Sequence, residues 1–268
     1  MNKTIGFIGS GNMGGAMIGG IIKVGLTAKE NIYVSDINEE SLARVRESYG
    51  VNTTTDNAQL AKVCDIIVLS VKPFLYPVVI NQIKTVVKED VIIVVIAAGQ
   101  SSEAVAQLFG REIKIVKTMP NTPALVGEGM AAIAPAKNVT KEEIAEITAI
   151  FNSFGKSEIV PEHLMDAVTA VSGSSPAYVY MMIEAMADAA VVEGMPRPQA
   201  YKFAAQAVLG SAQMVLETGK HPGELKDMVC SPGGTTIAAV AKLEETGFRS
   251  SIMQSMKACA DKSREMSK

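Results

Sequence analysis

Chemistry in this chain is concentrated in a few short stretches, the first being Ile5–Gly14, Ile-Gly-Phe-Ile-Gly-Ser-Gly-Asn-Met-Gly. Gly9, Gly11 and Gly14 stand at G-x-G-x-x-G spacing, directly after an apolar run and directly before a helical pattern. Gly9 permits a tight turn, Gly11 lets the backbone approach a pyrophosphate, and Gly14 lets the helix pack close to the strand. The free N–H groups of that helix then face an anion. Strand, turn and helix in this order predict a ligand that carries a diphosphate.

Asp36 stands about 20 residues beyond the last glycine, where an acid accepts hydrogen bonds from ribose hydroxyls. A carboxylate there repels a 2′-phosphate and so favours NADH over NADPH. The alternative is an acid that merely complements the dipole of the following helix. A second chemical stretch runs from Ser231 to Glu244, Ser-Pro-Gly-Gly-Thr-Thr-Ile-Ala-Ala-Val-Ala-Lys-Leu-Glu. Its two glycines expose N–H groups at a helix start and Thr235 and Thr236 add hydroxyls, a receptor for a small carboxylate. Taken alone, the same residues also read as ordinary helix capping.

The elements that position these residues follow from hydrophobic patterning. Strands are expected at 4–8, 32–35, 66–71, 91–96, 113–118 and 130–134, the middle ones continuous apolar runs suited to burial on both faces. Helices alternate with them at 13–23 and 39–49, the latter stopped by Gly50, which argues for a parallel, doubly wound sheet. Ligands of such sheets sit beyond the carboxyl ends of the strands. The residues to read there are Ser35-Asp36, Ser70-Val71-Lys72-Pro73, Ala97-Ala98-Gly99 and Met119-Pro120-Asn121-Thr122-Pro123, although the prolines also serve simply to end strands. Thr140 with Glu143 forms a capping-box pattern. Near Phe154-Gly155 the character changes and strands give way to helices, which divides the chain into residues 1–155 and 156–268.

Residues 176–193 read as a helix buried on most sides, with Glu184, Asp188 and Glu193 too many charges for a membrane span. A small helical domain cannot cover such a segment alone, so subunit association is expected. Helices are also expected at 197–218, 222–228, from Thr235 onward and over 248–267. The net charge of -3 leaves no footprint for nucleic acid. Three scattered cysteines and two histidines match no metal pattern or disulfide framework. The first strand begins almost at once, with no signal-peptide core, and the expected location is the cytoplasm.

With these segments assembled, the chain resembles the pyrroline-5-carboxylate reductase family. The likeness rests on the glycine fingerprint, Val71-Lys72-Pro73, Met119-Pro120-Asn121-Thr122-Pro123, Val171-Ser172-Gly173-Ser174-Ser175-Pro176-Ala177-Tyr178, and Asp227–Glu244 with its Ser-Pro-Gly-Gly-Thr-Thr core. The segments keep the family's order and spacing over essentially the whole chain. The resemblance implies a Rossmann-like N-terminal domain (1–155) and an all-α C-terminal dimerisation and substrate-binding domain (156–268). It also implies a homodimer, with dimers assembling into a decamer. By position, the resemblance makes Ile8, Gly9, Ser10, Gly11, Asn12, Met13, Gly14, Asp36, Asn57, Ser70, Val71, Lys72, Pro73, Ala97, Ala98 and Gly99 the dinucleotide contacts. Glu162, Thr235 and Thr236 become contacts to substrate or proline, and the helix start read above adds Ser231 and Gly234 to them.

The reaction so implied is reduction of 1-pyrroline-5-carboxylate to L-proline by hydride from NADPH or NADH, the last step of proline biosynthesis. The chain departs from the family's pattern at Asp36, often a small uncharged residue, and at Met228, an Asn in some relatives; both bear on the choice of cofactor. The Gly234–Thr236 helix start is expected to hold the substrate carboxylate, and Thr236 to hydrogen-bond the ring nitrogen as the catalytic residue. No metal is called for. The rival readings are a related imine or hydroxy-acid reductase, the latter needing a catalytic lysine on the helical domain, where Lys202 is the only lysine in the two long helices, and a non-catalytic dinucleotide-binding sensor. Lys72, beside Pro73 at a strand end, fits cofactor contact better than catalysis.

Overall fold

The computed structural model describes residues 1–97 and 99–266. Eight strands form one sheet: β1 Ile5–Ile8, β2 Ile32–Ser35, β3 Asn52–Thr54, β4 Ile66–Leu69, β5 Ile92–Val95, β6 Lys114–Met119, β7 Gly129–Pro135 and β8 Gly155–Ile159, in the order β3-β2-β1-β4-β5-β6-β7-β8. Every residue of β1, β4 and β5 is buried. Alternation along the strands splits them between two cores. Ile5, Phe7, Val68 and Val94 face Met17, Ile18 and Ile21, while Ile67, Leu69, Ile93 and Val95 face Leu60, Tyr76 and Ile80. Burial on both faces is why these strands read as unbroken apolar runs.

The helices that cover the sheet are α1 Asn12–Lys23, α2 Glu39–Tyr49, α3 Asn57–Val63, α4 Tyr76–Ile83, α5 Ser102–Phe109 and α6 Lys141–Asn152. Local signals define their ends as expected. Gly50 closes α2 in the left-handed region at φ 67°, and Thr140 and Glu143 exchange both capping-box hydrogen bonds at α6.

The sheet departs from the expectation in three places. The β6–β7 pair is antiparallel, because the connection between them is a short 3-10 turn, Thr122–Val126, with no room for a crossover helix. Strands β3 and β8 lie at the two edges and carry mostly polar residues, which gave them no apolar pattern to find. Because β8 belongs to the sheet, strands continue past the change of composition at Phe154-Gly155. The compact unit built on the sheet runs to Ser174 and includes the chain from Cys259 onward.

The second compact unit spans Ser175–Ala258. Before it, the chain makes α7, Met165–Val168, and a π-helical turn, Thr169–Gly173. The unit contains α8 Ser175–Val192, α9 Arg197–Thr218, α10 Pro222–Met228, α11 Thr235–Glu245 and the start of α12, Phe248–Met266. Helix α8 packs along α9. Within its own chain, Ala187 is its one buried residue, and Tyr180, Met181 and Val192 are exposed. Apolar character all round a helix demands cover, but a single small helical unit supplies it on one side only. Among the described residues no helix is long and apolar enough to cross a membrane.

Candidate active site

The glycine turn after β1 is built by contacts with the neighbouring strand ends. Gly9 sits at φ 102°, a left-handed conformation that favours glycine. A side chain on it would also strike the Ser70 carbonyl oxygen, 2.6 Å from the Cβ position. At Gly14 a Cβ would lie 2.7 Å from the Gly9 carbonyl oxygen, so this glycine sets the close approach of α1 to the turn. Gly11 is different, with nothing within 4 Å of its Cβ position. The space over Gly11 is thus open at the first turn of α1, which has no acidic residue there and no side-chain cap. Uncapped N–H groups, no competing anion and room above the backbone fit a dinucleotide diphosphate.

Ser70 fastens this cradle, its hydroxyl donating to the carbonyls of Ile8 at 3.0 Å and Gly9 at 2.6 Å. On the other side, Ser10 is 2% exposed. Its backbone N–H and its hydroxyl both donate to Asp36 Oδ2, each at 2.7 Å, and the Asn38 N–H donates to Oδ1 at 3.0 Å. Burial alone would push the Asp36 carboxyl up, but the bonds from Ser10 and the Asn38 and Ile37 backbone outweigh it and hold the group below its ordinary value. Asp36 is therefore a fixed, ionised carboxylate just after β2, braced against the glycine turn.

The remaining predicted contacts are distributed around the same strand ends. Asn57, the first residue of α3, accepts from the Ser35 hydroxyl at 2.6 Å and donates to Gln82 at 2.7 Å. After β4, Val71 packs on the core and Lys72 is exposed ahead of the turn that begins at Pro73. Ala97 is buried after β5, and Gly99 holds φ 74°. Ala98 lies outside the described residues. Asn121 is occupied with the scaffold, donating to Ser172 and accepting the Met130 N–H. A cavity of about 640 Å³ runs along α1 and reaches Ser10, Gly11 and Asn12 at one end, with Lys23 and Arg44 on its walls.

Glu162 lies in a 3-10 turn, Glu162–Leu164, and meets two residues that no motif marks. Its Oε1 accepts the Ser102 N–H at 2.8 Å and stands 3.7 Å from Lys117 Nζ. In the helical unit, Gly234 is the N-cap of α11, which carries no side-chain cap and no acid in its first turn. A Cβ on Gly234 would collide with the Ser231 hydroxyl. Ser231, Thr235 and Thr236 are exposed, so the capping alternative is not what these threonines do; α11 begins with free N–H groups flanked by hydroxyls. His221 caps α10 through Nδ1, which accepts the Gly223 N–H. Burial pushes the Cys64 thiol up to about 12, an inert core group. Among the described residues no cluster of three or more His, Cys, Asp or Glu could hold a metal.

The fold and the cradle define a class, a Rossmann-type dinucleotide-binding oxidoreductase with a helical partner unit. Comparison with known proteins narrows it. Residues 4–99 match the family described as NADP oxidoreductase coenzyme F420-dependent, and residues 162–266 match pyrroline-5-carboxylate reductase dimerisation. The pyrroline-5-carboxylate reductase of Escherichia coli (strain K12) is 50% identical over 268 residues, all of both chains, and that of Methanosarcina acetivorans 44% identical over 100% of this chain and 99% of the other. Among solved structures, a reductase of the same name from Coxiella burnetii superimposes with a TM-score of 0.94 at 32% identity over 100% of both chains. Plasmodium falciparum pyrroline carboxylate reductase, with NADP bound, gives 0.90 at 35% identity over 100% of this chain and 99% of that one. The chain belongs to the pyrroline-5-carboxylate reductase family.

Proposed function

We infer that the chain reduces 1-pyrroline-5-carboxylate to L-proline with hydride from NAD(P)H, the last step of proline biosynthesis. The observation that carries the reading is the pair of uncapped, acid-free helix starts, at Gly11 for a diphosphate and at Gly234 for a carboxylate. A non-catalytic sensor would need only the first.

In this reading, dinucleotide binding belongs to residues 1–155, with Ile8 to Gly14, Asp36, Asn57, Ser70–Pro73 and Ala97–Gly99 as contacts. Dimerisation and substrate binding belong to residues 156–268. Bound at the cradle, the reduced nicotinamide supplies the hydride that the imine carbon accepts. The N–H groups of the Gly234–Thr236 turn hold the substrate carboxylate, Ser231 and Thr235 flank it, and Thr236 hydrogen-bonds the ring nitrogen. Glu162 contributes Oε2, since Oε1 is engaged with Ser102. No strong acid is required, because a protonated imine is already electrophilic and needs chiefly positioning. The working form is a homodimer through the helical unit, assembled further into a decamer; the enzyme acts in the cytoplasm, and its net charge of -3 suits a small-molecule partner rather than nucleic acid.

The test is the initial rate of cofactor oxidation with pyrroline-5-carboxylate, run in parallel with NADH and NADPH. Turnover with either supports the reading. Absence of turnover from folded protein that still binds dinucleotide would overturn it in favour of a related imine or hydroxy-acid reductase, or of the sensor.

A further inference from the structure

We propose that Lys117 is a positioning residue that acts through Glu162 on the β5–α5 loop, the loop carrying Ala97 and Gly99; this rests on the reductase reading above. Lys117 lies in β6 between Val95 of β5 and Ala134 of β7. Its side chain is only 9% exposed, and its strand neighbours Val116 and Thr118 are fully buried. An ammonium in such a place carries a desolvation cost that an unbranched apolar side chain of similar length would avoid. The strand therefore gains nothing from the charge.

The gain lies across the sheet, at the Glu162 carboxylate 3.7 Å away. Too long for a hydrogen bond, the contact attracts the carboxylate without competing for it. The same Oε1 accepts the N–H of Ser102 at 2.8 Å, the first residue of α5 and one of the donors a helix cannot satisfy from within. The adjoining Ser101 caps the Ala104 N–H at 3.0 Å. Within the loop, a Cβ on Gly99 would stand 3.1 Å from the Met266 carbonyl oxygen. The α5 end of the loop after β5 is thus held by a carboxylate whose orientation Lys117 steadies. Ser102 and Glu162 are 60 residues apart in sequence, so nothing local would hold them together if Glu162 swung to solvent.

Lys117→Met and Lys117→Arg in the full-length protein test this, read by melting temperature and by separate KM values for the two substrates. Lys117→Met should melt no lower than the parent yet raise the dinucleotide KM about tenfold, and the pyrroline KM with it because Glu162 also serves that substrate in the reading above, with turnover at saturation of both within about twofold. Lys117→Arg, whose guanidinium reaches the same carboxylate, should bring the KM back to within about threefold of the parent. An unchanged cofactor KM in Lys117→Met, or a melting loss that tracks a general fall in activity, would overturn the proposal. If the parent proves unable to reduce pyrroline-5-carboxylate, the reductase reading fails instead. Titration of bound NADH by its fluorescence then tests Lys117 alone, with the same tenfold weakening expected in Lys117→Met.

Discussion

Helices α1 and α11 both begin at glycine-rich turns, with no acid in the first turn and no side-chain cap, yet they are built differently. The α1 turn is enclosed by its own sheet. Ser10 is buried against Asp36, Ser70 ties down Gly9, and Gly14 allows the helix to close on the turn. The α11 turn has Ser231 crowded against Gly234 as its internal brace, and Thr235 and Thr236 stand exposed. A diphosphate cradle can be completed by one chain because β1, β2 and β4 end side by side. The α11 turn, which the proposed function makes the carboxylate receptor, has no such enclosure from the unit around it, and in that unit α8 also leaves Tyr180, Met181 and Val192 uncovered. The first turn is preorganised by its own contacts, while the second stands exposed in the half of the chain that matches the dimerisation family.

The contrast is broken most directly at Thr236. Thr236→Ala should cut kcat about a hundredfold while leaving the melting temperature unchanged, since the side chain is exposed and caps nothing. An active, well-folded variant would remove Thr236 from the chemistry. The next effect separates the two roles of glycine in the first cradle. Gly11→Ala has room and should fold normally, but its methyl group enters the diphosphate space and raises the cofactor KM about tenfold. Gly14→Ala meets the Gly9 carbonyl and should instead lower stability by about 1–3 kcal/mol, measured by denaturant titration. Equal behaviour of the two variants would mean that the cradle is not shaped as described.

A smaller effect is expected at Asp36. Asp36→Ser should raise the ratio of kcat/KM for NADPH over NADH by about tenfold, through loss of repulsion toward a 2′-phosphate. An unchanged ratio would show that the carboxylate is fully committed to Ser10 and Asn38. The smallest effect is on acid stability. The folded-state value of Asp36 lies below the unfolded one, so its contribution is present above the unfolded value, about 4, and is lost as pH falls through the depressed native value. The melting-temperature gap between parent and Asp36→Ser should therefore be widest near neutrality and close in acid; a gap independent of pH would contradict the ionised, braced carboxylate.

Much of this molecule was legible in advance because its determinants are local. The strands β1, β2, β4 and β5 announce their burial in consecutive residues, the α6 capping box spans four positions, and the glycine fingerprint is a single turn of chain. What stayed hidden depends on partners remote in sequence. The three-residue β3 and the polar β8 become strands only because an edge is available to pair with, and β6–β7 is antiparallel because of the length of one connection. The bond from Ser102 to Glu162 and the buried charge of Lys117 carry no motif at all.

The sequence by itself determined the alternation of strands and helices, the glycine cradle at Gly9–Gly14, the glycine-rich helix start at Ser231–Thr236 and the family likeness, since each is written in residues close together in the chain. The tertiary structure decided how those pieces are held. It showed that Asp36 is fixed by Ser10, that Ser70 locks the turn, that Glu162 serves the start of α5, and that the apolar face of α8 is left open by its own unit. Local periodicity reports what a segment needs to bury or to bind; only the packed chain shows which distant group meets that need.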